Sequence, residues 1–140
     1  MQLIVNPADD LPLYRQIMRQ ITEALAGGRL KRGDKLPSHR DLAEQLVIAP
    51  LTVKKAYDEL EALGFIETQR GRGTFVCDKL PRVKLADQRE QMEVSARKLL
   101  SQAYLAGLGF DDVIKILKDA ESELTHGRSA GNRRPIKEEP

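Results

Sequence analysis

The sequence predicts a mainly α chain with one small β-hairpin, and three observations predict it. Residues 38 to 63, SHRDLAEQLVIAPLTVKKAYDELEAL, hold two helical apolar patterns on either side of a short break. FIETQ (65 to 69) and TFVCD (74 to 78) read as two short strands around the glycine-rich tip RGRG. The C-terminal third repeats apolar residues at helical spacing twice more, interrupted at Gly107 to Gly109. The expected organisation is an N-terminal domain over 1–78, a linker over 79–86, a two-helix unit over 87–125 and a tail over 126–140. The tail's Gly, Arg, Pro and Glu content predicts disorder.

Taking the elements in order, Met1 to Val5 is a short apolar run that fits a strand or an extended lead-in. Asn6 to Asp10 is polar and turn-like, with Asp9 or Asp10 placed to cap the first helix. From Pro12 to Ala26, Leu13, Tyr14, Ile17, Ile21, Ala24 and Leu25 form an apolar stripe, and Gly27-Gly28 ends the helix. This helix is expected to expose Arg15, Arg19 and Gln20. RLKRGDKLP (29 to 37) is a turn-rich connection, in which Pro37 biases Leu36 to an extended conformation. Ser38 and Asp41 make a capping box, and Leu42, Ala43 and Leu46 give the next helix a short apolar face. Pro50 suits a first helical turn, because its missing N–H would have no partner there. Val53, Ala56, Tyr57, Leu60 and Leu63 then share one buried face, and Gly64 terminates the helix.

Leu51, Thr52, Lys54 and Lys55 fall off that face, in the first turns of the second helix. A short helix, a tight turn and a second helix with an exposed basic start is the pattern of a helix-turn-helix. The plainer alternative is any helical hairpin with a solvated lysine pair. Charge distribution favours the former: Arg29 to Tyr57 holds seven basic residues against three acidic, whereas residues 1 to 78 hold 11 of each. The basic character is a face, as suits a protein that meets phosphates from one side. Arg70 and Arg72 at the hairpin tip then read as a wing that reaches phosphates or the minor groove.

Other chemistry finds little support. At 140 residues the chain has room for a modest core but not a large catalytic scaffold. Cys77 is its one cysteine, which excludes an internal disulfide. With His39 and His126 far apart in sequence, no metal site of the ordinary zinc type and no nucleophile–base pair is expected. GRG lacks a strand-to-helix context, so it is not a phosphate-binding fingerprint. The expectation is no enzyme and no cofactor. Cys77 is expected to pack at the end of the second wing strand. His39 lies beside a positive helix end that disfavours a charged imidazole, which leaves it a water-facing or phosphate-adjacent role. No run approaches the roughly 18 apolar residues of a membrane span, and the start lacks a charged-then-apolar signal pattern. A cytoplasmic protein with no membrane partner is expected.

PLYRQI, LKRGDKLPSHRDLAEQL and TVKKAYDELEALGFIETQRGRGTFV, in that order from Pro12 to Val76, resemble the winged helix-turn-helix of GntR-type bacterial transcription regulators. The resemblance implies a DNA-binding regulator whose contacts fall on Ser38 and Arg40 at the second helix, on Pro50, Leu51, Thr52 and Lys54 in the recognition helix, and on Arg70 and Gly71 at the wing. Lys54, Arg40 and Thr52 are expected at bases or adjacent phosphates. Lys55, Ser38, Arg70, Gly71 and Arg72 are expected to position the backbone and the wing. Three residues depart from the family's pattern. Val47 stands where glycine is frequent, and a positive φ there would strain a β-branched residue. Ala49 replaces a polar helix cap, at a cost of about 1 kcal/mol. Leu51 replaces a polar reader; it either touches a thymine methyl or tucks against the first helix.

In the C-terminal third, Met92, Ala96, Leu99, Leu100, Ala103 and Tyr104 keep helical spacing from about Asp87 to Ala106. Asp111 is placed to cap a second helix with Phe110, Val113, Ile114, Leu117, Ala120 and Leu124. Two such helices cannot cover both stripes on each other, so a homodimer is expected through Met92, Leu99, Leu100, Ala103, Phe110, Val113 and Leu117. The arrangement is similar to the YtrA-type subgroup of GntR regulators. That implies a repressor on a pseudo-palindromic operator, with transporter genes as targets. A small-molecule effector between the C-terminal helices is a further expectation. The rival reading is a winged-helix protein-interaction module without specific DNA binding.

Overall fold

The computed structural model describes residues 2–81 and 85–126. The chain divides into two compact units, one built on the residues through Pro81 and the other Arg82–Glu123. The expected tail from 127 onward and the middle of the expected linker, 82–84, lie outside the described residues.

The first unit runs α1 (Leu13–Ala26), β1 (Lys35–Leu36), α2 (His39–Leu46), α3 (Pro50–Ala62), β2 (Ile66–Gln69) and β3 (Gly73–Val76). Helix α3 is its centre and packs on both α1 and α2. Ile17, Ile21 and Ala24 of α1, Leu42 and Ala43 of α2, and Val53, Ala56, Tyr57 and Leu60 of α3 make one core, with Leu36 and Ile66 beneath the sheet. The expected stripes of this unit are buried or half-buried, with one exception. Leu63 is 56% exposed, because it is the C-cap where the helical repeat stops. The Tyr57 hydroxyl donates to the Pro37 carbonyl at 2.7 Å and ties α3 to the entry of α2.

The hairpin β2–β3 is present with Glu67 opposite Phe75 and Thr68 opposite Thr74. A third strand extends it: β1 pairs antiparallel with β3, Lys35 opposite Phe75 and Leu36 opposite Thr74, giving the order β1-β3-β2. The connection 29–37 is thus not all turn.

Local hydrogen bonds correct several further expectations. Neither Asp9 nor Asp10 caps α1; its N-cap is Pro12, and Asp9 Oδ1 accepts the Leu11 N–H at 3.0 Å. The N-terminal lead-in forms no strand. It is stapled by two glutamines of α1. Gln16, 2% exposed, accepts the Asn6 N–H through Oε1 and donates through Nε2 to the Asn6 and Leu11 carbonyls. Gln20, expected to be exposed, is half-buried and brackets Ile4 in the same way. Ser38 Oγ accepts the Asp41 N–H at 3.0 Å, so the capping box forms in its forward half.

The three helices of this unit end alike. After α3, the Phe65 N–H reaches the Leu60 carbonyl and the Gly64 N–H the Glu61 carbonyl, with Gly64 left-handed at φ 90°. Helix α1 does the same through Gly28. After α2 the matching bonds run from Ile48 to Ala43 and from Val47 to Glu44, and the left-handed residue is Val47, at φ 57° and ψ 52°. The strain expected at Val47 is real. It is the one non-glycine residue with positive φ among those described.

The second unit holds α4 (Leu85–Leu105) and α5 (Phe110–His126) as far as Glu123. Asp112, not Asp111, caps α5, accepting the Gly109 N–H at 2.8 Å. Ala103 and Val113 are 5% and 1% exposed and so are buried within the protomer. Met92, Phe110 and Leu117 are about half exposed, at 52%, 57% and 49%. No helix among the described residues is long and apolar enough to cross a membrane.

Candidate nucleic-acid interface

The first two turns of α3 carry the exposed face. Its N-cap, Ala49, offers no side-chain bond, so the start of the helix lacks the polar cap that Ser38 gives α2. Pro50 occupies the first turn, where no N–H is needed. Leu51 is 77% exposed, which rules out the tucked position against the first helix. Thr52 is half-buried, one residue before fully buried Val53. Lys54 is exposed, and its ammonium pairs with the Asp58 carboxylate one turn on, at 2.8 Å. An exposed pair of this spacing contributes about 0.3–0.5 kcal/mol, little enough for Lys54 to exchange it for a phosphate or base.

Lys55 points another way. Its Nζ lies 4.3 Å from the centre of the Tyr14 ring of α1. Arg15 flanks the same tyrosine and donates from Nε to its hydroxyl at 3.2 Å. Lys55 is thereby held at the α1–α3 corner rather than among the residues at the tip of α3.

Ser38 and Arg40 stand at the start of α2, both exposed, and Arg70, Gly71 and Arg72 form the hairpin tip. Gly71 and Gly73 have φ of 77° and 124°, conformations that let the strand reverse over so few residues. The Arg72 guanidinium is 6.0 Å from the Phe75 ring centre, and Lys35 Nζ is 6.0 Å from the same ring. All ten residues expected to meet DNA lie on the first unit, nine of them at three of its ends, the starts of α2 and α3 and the wing, and Lys55 apart from them at the α1–α3 corner.

Three side chains at this surface do not stand out in the sequence. Asp58 is signalled only by its i, i+4 spacing from Lys54. Tyr14 reads as part of the apolar stripe. Lys35 counts as charge, and nothing local shows that β1 lays it along the wing. His39 is half-buried beside the cap, and no group of three or more His, Cys, Asp or Glu side chains among the described residues is arranged for a metal. Burial raises the Cys77 thiol above its ordinary pKa, and Glu67, Glu61 and Asp78 add to the shift. The thiolate is disfavoured there, and Cys77 is half-buried just past the end of β3.

The gntR family model of bacterial regulatory proteins matches residues 13–76, the span from the start of α1 to the end of β3. The HTH-type transcriptional repressor YtrA of Bacillus subtilis is 34% identical over 124 residues, which cover 89% of this chain and 95% of that one. The chain belongs to the GntR family. Among solved structures, this GntR protein is similar to a transcriptional antiterminator from Listeria monocytogenes, with a TM-score of 0.74 and 26% identity over 92% of this chain and 96% of that one. It is also similar to YtrA of Sulfolobus acidocaldarius, a GntR-family transcription factor, with a TM-score of 0.54 and 38% identity over 71% of this chain and 97% of that one. The mainly helical fold with its winged helix-turn-helix is thus the GntR fold, and the protein is a GntR-type DNA-binding transcription regulator.

Proposed function

We propose that the protein is a cytoplasmic repressor that binds a pseudo-palindromic operator as a homodimer. The observation that carries this is the start of α3, where Leu51 and Lys54 stand exposed on a helix whose opposite face, Val53, Ala56 and Leu60, is completely buried. A helix so anchored presents a fixed edge to a major groove. Arg40, Thr52 and Lys54 contact bases or the nearest phosphates. Leu51 takes a thymine methyl, a contact that discriminates without a hydrogen bond. Pro50 lets the helix start close to the groove, Ser38 and Lys55 hold the backbone on either side, and Arg70, Gly71 and Arg72 reach the adjacent groove.

The dimer rests on the second unit. Met92, Leu99, Leu100, Phe110 and Leu117 line an open apolar cleft of about 500 Å³ between α4 and α5, and a second copy related by a two-fold axis fills it. Val113 lines the same cleft at its floor, and Ala103 packs inside the unit. Similarity to the YtrA repressor supports repression. Transporter genes, implied by the resemblance to the YtrA-type subgroup, are the proposed targets.

Selection from a randomised duplex pool tests the reading. The expected result is enrichment of two inverted half-sites about one helical turn, or a multiple of it, apart. Lys54→Ala should flatten the preference at one position of each half-site while leaving the dimer intact. Enrichment of no motif would refute operator reading.

A further inference from the structure

We propose that Gly27 and Arg29, at the end of α1, clamp the last turn of α5 and thereby fix which half-site spacing the protein accepts. The two units are not simply joined in series. The first runs to Pro81, gives way to the second at Arg82, and takes the chain back at Leu124. The closing turn of α5, from Leu124 to His126, is therefore part of the first unit, although the helix begins at Phe110 in the second.

Two contacts hold it there, and both meet the Leu124 carbonyl. Arg29 donates from Nε to that oxygen at 2.9 Å, from 95 residues away in the sequence. A carbonyl in the last turn of a helix has no acceptor role left within the helix and lies at the negative end of its dipole, so a guanidinium is a fitting donor. Gly27 makes the approach possible. A Cβ built on it would stand 2.7 Å from the Leu124 carbonyl carbon and closer still to the oxygen, so any larger residue would push the turn away. Backbone conformation does not explain this glycine. Gly28 supplies the left-handed residue that ends α1, at φ 79°, whereas Gly27 sits at φ −86°, which any residue adopts. Its missing side chain is room for α5. Leu124, which the sequence spacing assigns to the apolar stripe of α5, is half-buried here and is not among the residues lining the α4–α5 cleft.

The consequence is a doubled attachment. The chain itself joins the units at Pro81 and Arg82, and the clamp holds the far end of α5 to the first unit as well. One connection lets two joined bodies sample many arrangements, and a second removes most of them. Fewer arrangements raise the effective concentration of one recognition helix at its half-site once the other is bound, but only at the spacing they match. Helix α1 carries the restraint to the reading helix, since α3 packs directly on it. Gly27 and Arg29 are thus positioning residues that act through α5. This deepens the operator reading and rests on it for the consequence, though not for the clamp itself.

The test has two arms, each on the full chain with Gly27→Ala and, separately, Arg29→Met, which removes the donor and keeps the bulk. In the first, hydrogen exchange is followed along α5. Amides of its last turn should exchange about tenfold faster in both variants, with those of α3 unchanged. In the second, binding is measured on a single half-site, on the two-half-site operator, and on duplexes with one base pair added or removed between the half-sites. The unaltered protein should lose about tenfold on the changed spacings and the variants about twofold or less, with single half-site affinity the same in all three. Faster exchange with a flattened spacing profile establishes the clamp and its role. Faster exchange with an unaltered profile would overturn the role in spacing. Unchanged exchange in both variants would overturn the clamp. Faster exchange in a protein that gains nothing from a second half-site would keep the clamp and refute the operator reading on which its role rests.

Discussion

Val47 shows how a single residue can work against its own fold. Its backbone is at φ 57°, the conformation that Gly28 and Gly64 adopt at the same position after α1 and α3. A left-handed residue with a Cβ costs roughly 1–2 kcal/mol, and Val47 is 88% exposed, so packing returns little of it. Val47→Gly should therefore raise stability by about 1 kcal/mol, read as a higher melting temperature by roughly 4–8 °C. No gain would mean that the turn opens in solution. Tyr57 makes the opposite case. Burial pushes its phenol well above the ordinary value, and the neutral form donates to Pro37. The unfolded chain ionises near pH 10 while the folded chain does not. Tyr57 therefore contributes its full stabilisation below about pH 10 and loses it as pH rises further. Tyr57→Phe should cost about 1 kcal/mol at neutral pH and make the alkaline fall in stability shallower; an identical alkaline profile would disprove the assignment. The strain at Val47 was legible as a departure from a glycine-favouring position. The Tyr57 bond was not, because its acceptor lies 20 residues away.

At the scale of elements, the helices were the readable part and the short strand was not. Stripes such as Ile17, Ile21 and Ala24 bury because a helix repeats its face every three to four residues, and that period survives without tertiary information. Strand β1 is two residues long, has no period to detect, and exists only because β3 offers it an edge. Lys35 stayed hidden for the same reason. Caps behaved similarly: Asp112 rather than Asp111 reaches the Gly109 N–H, a choice of helical phase that one residue of drift reverses. Of the interface, the exposed edge of α3 and the wing arginines were readable. The position of Lys55 was not, because its cation–π contact with Tyr14 depends on how α1 crosses α3. The wing itself gives a sharp expectation. Arg70→Gln with Arg72→Gln should weaken binding to every duplex and lower the salt slope by about 2, since two phosphate contacts are lost. An unchanged slope would remove the wing from the phosphate contacts.

At the scale of the whole molecule, one chain carries a winged helix-turn-helix unit and a two-helix unit, for which pairing with a second copy is the proposed role. The second unit exposes Met92, Phe110 and Leu117 beside the cleft, more apolar surface than a pair of helices leaves open without cause. Phe110→Glu with Leu117→Glu should convert the dimer to monomer in sedimentation experiments while helical content is kept. The same change should cost far more on a two-half-site duplex than on a single half-site, because the second contact then gains nothing from being tethered. A dimer that survives would move the interface elsewhere.

Sequence-dependent duplex binding is the central claim, and one titration addresses it most directly. The protein is titrated onto the duplex upstream of its own gene and onto a scrambled duplex of equal length, at several salt concentrations. Binding to the first should be at least about a thousandfold tighter at physiological salt, with affinity for both falling steeply as salt rises. Absence of binding to either duplex at low salt would contradict it.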